Sequence, residues 1–180
     1  MRLSMLVILV FLGAATLACG KETEGGTAAA SGGPKSAAVA LDDDLTMHPG
    51  EGDRCPVCAM TTHDKKLPAA IALKDGRTFY FCGPGCMIRS WLDPKQHLGV
   101  DKSALGRAVA TEFITGKSID AGKAVWIWGS DVAGPMGPMP VPLAAENVEA
   151  FKTRHGGAVT FSLDGMTTEK WQALKKGSGK

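Results

Sequence analysis

Apolar and polar positions divide the chain into stretches of different character. Residues 3 to 18 follow Arg2 as a run of apolar and small side chains with no charge, and these 16 residues are too few to span a bilayer comfortably. From Gly20 to about Ala40 the pattern disappears: there is no aromatic residue, and Val39 is the only large aliphatic. Such a stretch cannot bury enough surface to offset its ordering entropy, so it reads as a flexible tether. Periodicity returns beyond it. Ala69 to Leu73 and Thr78 to Phe81, with Asp75-Gly76 between them, predict a β-hairpin. Gly83-Pro84 then opens a helix that Asp93-Pro94 stops, and Val109 to Phe113 supplies a strand after it. Further on, alternation from Lys123 to Trp128 predicts a strand, and Gly129 to Pro138 a loop. Leu143 to His155 places Ala144, Val148 and Phe151 along one helical face, with Gly156-Gly157 as its stop. Ala158 to Leu163 is a strand, and a short last helix around Thr168 to Leu174 takes Trp171 as its anchor.

Taken together, the elements predict an α+β fold of two small ββαβ units sharing one core, preceded by the tether. The expected divisions are a signal peptide over 1–18, a linker over 19–46 and a domain over 47–180, with units of about 47–115 and 116–180. With 180 residues, the chain is too short for a large multidomain enzyme. The 23 Gly and 10 Pro exceed ordinary usage and fit a chain that is partly linker and loop. A net charge of +2, from 20 basic and 18 acidic residues without a long like-charge block, leaves no footprint for nucleic acid. There is no G-x-S-x-G, H-E-x-x-H, phosphate loop or dinucleotide fingerprint, so the chain reads as a non-enzyme.

A basic start, an apolar run and then small residues describe a secretory signal. The segment Thr16-Leu17-Ala18-Cys19 resembles the lipobox of bacterial lipoproteins, although Thr16 stands where Leu is usual. That resemblance implies lipidation of Cys19 and an anchor on a bacterial membrane, facing the periplasm. Gly20 rather than Asp after the Cys favours the outer membrane by the sorting rule of enteric bacteria. An ordinary cleaved signal is the alternative. A tether of roughly 25 residues reaches about 25 to 30 Å as a random coil, enough to hold a small domain clear of lipid headgroups.

Sulfur sets the chemistry. Five Cys and eight Met stand against four His and a single Tyr. Apart from Cys19, the cysteines fall as Cys55-x2-Cys58, 23 residues, then Cys82-x3-Cys86. Two pairs at these spacings can place four thiolates on one ion, form two disulfides in one of three connectivities, or build a structural zinc site. Met60 and Met87 beside the two pairs add thioethers, a donor set that suits Cu(I) better than Zn(II). Cys86, in the first turn of the predicted helix, is placed where the dipole favours a thiolate. Four residues form a second tier of metal ligands: Met87, His63 just past Met60, and Met136 and Met139. The last two point the same way if Pro135 to Pro140 is an extended, proline-rich chain, with a methionine plug as the alternative. His155 is accounted for by a helix C-terminus, and His48 and His97 carry no argument.

Several separated motifs then converge on one family. Cys55-Pro56-Val57-Cys58-Ala59-Met60 is followed by Phe113-Ile114-Thr115-Gly116 with Ile119-Asp120-Ala121 and Ala124. Next come Gly129-Ser130-Asp131-Val132 with Gly134-Pro135-Met136-Gly137, and lastly Ala150-Phe151 and Gly156-Gly157. In this order they resemble the NosL family, the lipoprotein accessory factors of nitrous oxide reductase, from about residue 50 to 165. The resemblance implies a Cu(I)-binding periplasmic lipoprotein of two ββαβ units that serves the copper supply of nitrous oxide reductase. It carries the metal-binding role to Cys58 and Met60. Two departures matter. Ala59 replaces the Gly usual between that Cys and Met, which is tolerated if its φ is negative. Cys82 and Cys86 are not typical of the family. Phe79 to Cys86 with Trp91-Leu92-Asp93-Pro94 instead resembles the TRASH and YHS metal-binding modules over about residues 53 to 97. More thiolates than in a typical relative make Zn(II) the competing ion. The alternative to copper delivery is a lipoprotein module stabilised by zinc or disulfides, with an interaction role. A thiol-disulfide oxidoreductase using Cys55 and Cys58 ranks third, because no thioredoxin-like helix follows that pair.

Overall fold

The computed structural model describes residues 33–177. The first element is the expected hairpin, β1 (Ala69–Leu73) and β2 (Thr78–Phe81), paired antiparallel with Ala69 opposite Phe81 and Ile71 opposite Phe79. Pro84 sits at the start of α1 (Pro84–Leu92), whose buried face carries Cys86, Met87, Ile88 and Ser90. Asp93-Pro94 stops α1 and at once starts another short helix, α2 (Pro94–Leu98), where the Asp93 carboxylate accepts from the Gln96 N–H at 3.0 Å. β3 (Leu105–Thr111) pairs with the free side of β1, and β4 (Ser118–Asp120) pairs with β3, giving a sheet ordered β2-β1-β3-β4.

The second half repeats this plan. β5 (Val125–Ser130) is followed by a two-rung hairpin of β6 (Ala133–Gly134) and β7 (Gly137–Pro138), within the stretch expected as a loop. β8 (Val141–Leu143) and β9 (Gly156–Phe161) flank β5 in a sheet ordered β8-β5-β9. Between them α3 (Val148–His155) begins five residues later than the expected Leu143, because Leu143 pairs with Val125 in the sheet and a 3-10 turn fills Ala145–Asn147. A Cβ on Gly157 would run into Ile127, so glycine permits the close return of β9 onto β5. α4 (Thr168–Gly177) closes the described chain with Trp171 buried. In the first sheet β1 lies between β2 and β3, which are connected through α1 and α2; in the second β5 lies between β8 and β9, which are connected through α3. Two ββαβ units are therefore present. They share a core in which Phe79, Phe81, Met87 and Ile88 join Trp126, Trp128, Leu163 and Trp171 in one buried cluster.

Two boundaries differ from expectation. β4 lies beyond residue 116 yet completes the first sheet, so the division between residues 115 and 116 falls within the β3 to β4 connection rather than between the sheets. The linker expected to run to residue 46 is docked from Ala37 onward. Leu41, Ala37, Leu45 and Met47 cover Ala70, Tyr80 and Val109 on the outer face of the first sheet. Backbone anchors hold this strap, with Ala37 N–H donating to the Thr78 carbonyl at 2.8 Å and Leu41 N–H to the Thr78 hydroxyl at 3.1 Å. The physical reason is that β1, β2 and β3 are apolar on both faces, so the outer face needs a cover that local composition does not reveal. The apolar run at 3–18, Cys19 and the first part of the linker lie outside the described residues. Among the described residues no helix is long and apolar enough to cross a membrane.

Candidate metal centre

The site is built at the open end of the β1–β2 hairpin. Cys55 to Met60 form a tight loop closed by a single antiparallel bridge between Arg54 and Thr61. Inside it Cys55 N–H donates to the Met60 carbonyl at 2.9 Å, and Ala59 N–H donates to the Cys55 carbonyl at 2.8 Å. Ala59 closes this turn at φ 59°, in the left-handed region, so the condition set for tolerating it in place of glycine is not met. An L-residue there costs about 1–2 kcal/mol. Cys82 follows the last residue of β2, and Cys86 sits in the first turn of α1. Only Gly83, Pro84 and Gly85 separate them, so strand end and helix start present both thiols to the Cys55–Met60 loop.

The four thiols converge. All four sulfurs lie within 4.8 Å of one another. Cys58 Sγ lies 3.4 Å from Cys82 Sγ, and Cys82 Sγ lies 3.7 Å from Cys86 Sγ. None is in a disulfide; Cys55, Cys82 and Cys86 are buried, and Cys58 is partly exposed. A tetrahedral ion with metal–sulfur bonds of about 2.3 Å needs sulfur–sulfur edges of about 3.8 Å, so this donor set fits a single soft or borderline ion.

Crowding four acids in one pocket divides their behaviour. Hydrogen bonds from Cys82 and then Cys86 hold the Cys55 thiol far below its usual range, against the burial that opposes its ionisation. The same interaction with Cys55 pushes Cys82 up to about 12 and Cys86 higher still, burial adding to both. The helix-dipole preference expected for a thiolate at Cys86 is thus opposed by its acidic neighbours. A cation in the centre reverses this, because each thiolate it binds must lose its proton.

The other sequence-predicted ligands divide clearly. Met60 packs beside Val57 and Cys58 against the common core and closes the loop through its carbonyl. His63 is exposed and does not join the thiols: among the described residues the cluster of possible ionisable ligands is the four cysteines alone. It is carried outward by a turn in which the Thr61 hydroxyl donates to Asp64. Met87 is fully buried in the core. Pro135 and Met136 form the turn between β6 and β7, not an extended chain, so Met136 is 64% exposed while Met139 is 8% exposed. Both nevertheless line a cavity of about 150 Å³ together with Cys82, Cys86, Trp128 and Trp171. Sequence reasoning missed Trp128 as part of this wall, although strict alternation from Val125 to Trp128 placed it on the same face as Trp126. Trp128 Nε1–H donates to the Leu174 carbonyl at 3.2 Å and its ring meets Trp171 edge-on at 5.4 Å, tying α4 to the site. Cys55 and Cys58 line a separate cavity, of about 660 Å³, with Lys35, Ser36 and Tyr80.

With this geometry in place, the NosL family model matches residues 46–171 of the chain. The chain belongs to the NosL family. It is 31% identical over 113 residues to the copper-binding lipoprotein NosL of Stutzerimonas stutzeri, a match that covers 61% of this chain and 60% of that protein. The chain thus spans less than two thirds of that relative's length. The crystal structure of the copper chaperone NosL from Shewanella denitrificans superposes with a TM-score of 0.59 at 18% identity, covering 71% of this chain and 99% of that one. That likeness shows a shared fold. On this NosL scaffold the second cysteine pair adds Cys82 and Cys86 to the cage.

Proposed function

We propose that this NosL-family protein is a lipid-anchored periplasmic carrier of Cu(I), not an enzyme, that delivers copper for the maturation of nitrous oxide reductase. The observation that carries the reading is the convergence of Cys55, Cys58, Cys82 and Cys86 within 4.8 Å. Thiolates are the ligands that select Cu(I), and Met60 in the same loop adds a thioether to the candidate set. Burial of three sulfurs holds the cargo, while the partly exposed Cys58 gives an acceptor's competing soft ligands a place to start displacement. Two related proteins are described as a copper-binding lipoprotein and a copper chaperone, which supports carriage over catalysis. The anchor at Cys19, the outer-membrane preference and the reductase as acceptor rest on the sequence motifs and the family.

One observation favours a second reading. Edges of 3.4 and 3.7 Å lie close to those of a four-thiolate tetrahedron, which Zn(II) fills readily. In that case the protein is a zinc-stabilised module with an interaction role. An anaerobic competition titration of the full chain with a Cu(I) chelator, beside the same titration with Zn(II), separates the two. Tight Cu(I) binding by protein that stays folded without Zn(II) is expected. Zn(II)-dependent folding with weak Cu(I) binding would overturn the carrier reading.

A further inference from the structure

Cys58 and Cys82 combine a short separation with unequal exposure. Their sulfurs are 3.4 Å apart, within the range of a near-attack arrangement, whereas Cys82 and Cys86 are 3.7 Å apart. Cys58 is also the only partly exposed thiol of the four, and it opens onto the cavity of about 660 Å³ beneath the docked strap. Cys82, its neighbour at 3.4 Å, is 3% exposed and does not line that cavity. An accessible thiol backed by a buried one at reacting distance is the arrangement of an attacking and a resolving cysteine.

We infer that Cys58 and Cys82 form a reversible disulfide in the metal-free protein, and that this bond and the bound ion exclude one another. The oxidant is a small-molecule or protein disulfide. Cys58, as thiolate, attacks one sulfur of that disulfide and forms a mixed disulfide, and the other half leaves as a thiolate. Cys82, losing its proton, then attacks Cys58 Sγ and expels the second half. Two protein thiols are oxidised by two electrons, one external disulfide is reduced to two thiols, and the two protons pass to the leaving groups. Closing the bond draws the sulfurs to about 2.05 Å and removes two of the four thiolates from the cage. Loading with a soft cation therefore requires a preceding reduction by thiol-disulfide exchange with a reduced dithiol, which places that reaction class upstream of metal uptake. The inference rests on the four thiols forming one ion site but not on the ion being copper.

The test uses the full chain, purified with reductant and then freed of reductant and metal without oxygen. It is treated with oxidised glutathione, alkylated, and its disulfides are mapped by mass spectrometry. A Cys58–Cys82 linked peptide without a lasting glutathione adduct is expected. Preloading with Ag(I), a redox-inert substitute for Cu(I), is expected to slow the reaction at least about tenfold. Cys82→Ser should trap glutathione on Cys58. Mapping of the bond to Cys55–Cys58 or Cys82–Cys86, or oxidation at the same rate with Ag(I) bound, overturns the inference. Mapping on the unsubstituted protein needs no variant to fold. If the disulfide forms as described but Cu(I) is not bound by the reduced protein, the carrier reading fails alone.

Discussion

The two ββαβ units share a topology and divide the chemistry between them. In the first unit the β1–β2 connection is the four-residue turn from Lys74 to Arg77, and the β2–α1 connection is Cys82-Gly83. Short connections fix Cys82 and Cys86 on rigid elements facing the Cys55–Met60 loop. In the second unit the β5–β8 connection runs from Asp131 to Pro140 and carries the methionine hairpin back over the first unit, where Met139 and Met136 share a cavity with Cys82 and Cys86. The first unit thus supplies the sulfur cage, and the second supplies its wall and cover. A repeated fold specialises through the lengths of its connections, while the three strands of each ββαβ unit keep the same order.

The comparison breaks most severely if the second unit is loosened. Phe151 is fully buried among Ile127, Val141 and Leu143 and meets Phe113 edge-on at 5.2 Å. Phe151→Ala is expected to cost about 3–5 kcal/mol in chemical denaturation. Because the common core runs through both units, far-ultraviolet circular dichroism and the fluorescence of Trp128 and Trp171 should report one transition. Two separated transitions would show that the units are independent.

Ligand substitution sharpens the division of labour. Cys58→Ser and Cys82→Ser should each weaken Cu(I) binding by more than about 100-fold, beyond the loss that changes outside the ligand shell produce. Met60→Ala should cost about 10-fold, and Met136→Ala, at the exposed turn, less than about 3-fold. If Met136→Ala matches Cys82→Ser in a chelator competition, the second unit is a ligand donor and the division is wrong. A Cys86→Ser variant that keeps Cu(I) affinity but melts earlier would make the second cysteine pair structural.

Legibility followed the range of the interactions. The hairpin around Asp75-Gly76, the Pro84 start and Asp93-Pro94 stop of α1, and the helix ending at Gly156 are local events, and local sequence identified each. The four cysteines were legible because paired spacings imply convergence. The strap was not, since the need to cover Ala70, Tyr80 and Val109 arises only once the sheet is assembled. Neither was the late start of α3, where pairing of Leu143 with Val125 outweighs helical periodicity. His63 stands apart from the thiols for a related reason: nearness in sequence to Met60 says nothing about the turn at Thr61 that leaves it exposed.

Glu112 tests the seam between the units in a pH-dependent way. It is 2% exposed at the end of β3, where Oε2 accepts from the Thr115 N–H at 2.5 Å and Oε1 from the Asn147 side chain at 3.1 Å. Burial pushes this carboxyl up, but the hydrogen bonds from Thr115 and Asn147 outweigh it and hold it below the usual range. A depressed folded-state value contributes stability that is fully present above the unfolded carboxyl value of about 4.3 and is lost as pH falls through the folded one. Glu112→Gln should therefore flatten the acid limb of the stability curve, and Glu112→Ala should cost about 1–3 kcal/mol at neutral pH. An unchanged acid limb in Glu112→Gln would remove this residue from the seam.

The smallest expected effect lies in the cage's own loop and has the opposite sign. Ala59 adopts φ 59° because Cys55 and Met60 are closed into a tight turn by two backbone hydrogen bonds, and its side chain is exposed. Glycine at this position relieves about 1–2 kcal/mol of left-handed strain and gives back about 0.4–1 kcal/mol through the greater freedom of the unfolded chain. Ala59→Gly should thus stabilise the metal-free protein by about 0.5–1 kcal/mol, a rise in melting temperature of about 2–4 °C at most. Ala59→Val, β-branched in the same conformation, should lower it by more than that. Cu(I) affinity should change little in Ala59→Gly, since the turn is already formed before the ion arrives. A lower melting temperature for Ala59→Gly would mean that the loop is not strained in the free protein, and that closure of the Cys55–Met60 turn accompanies metal binding instead.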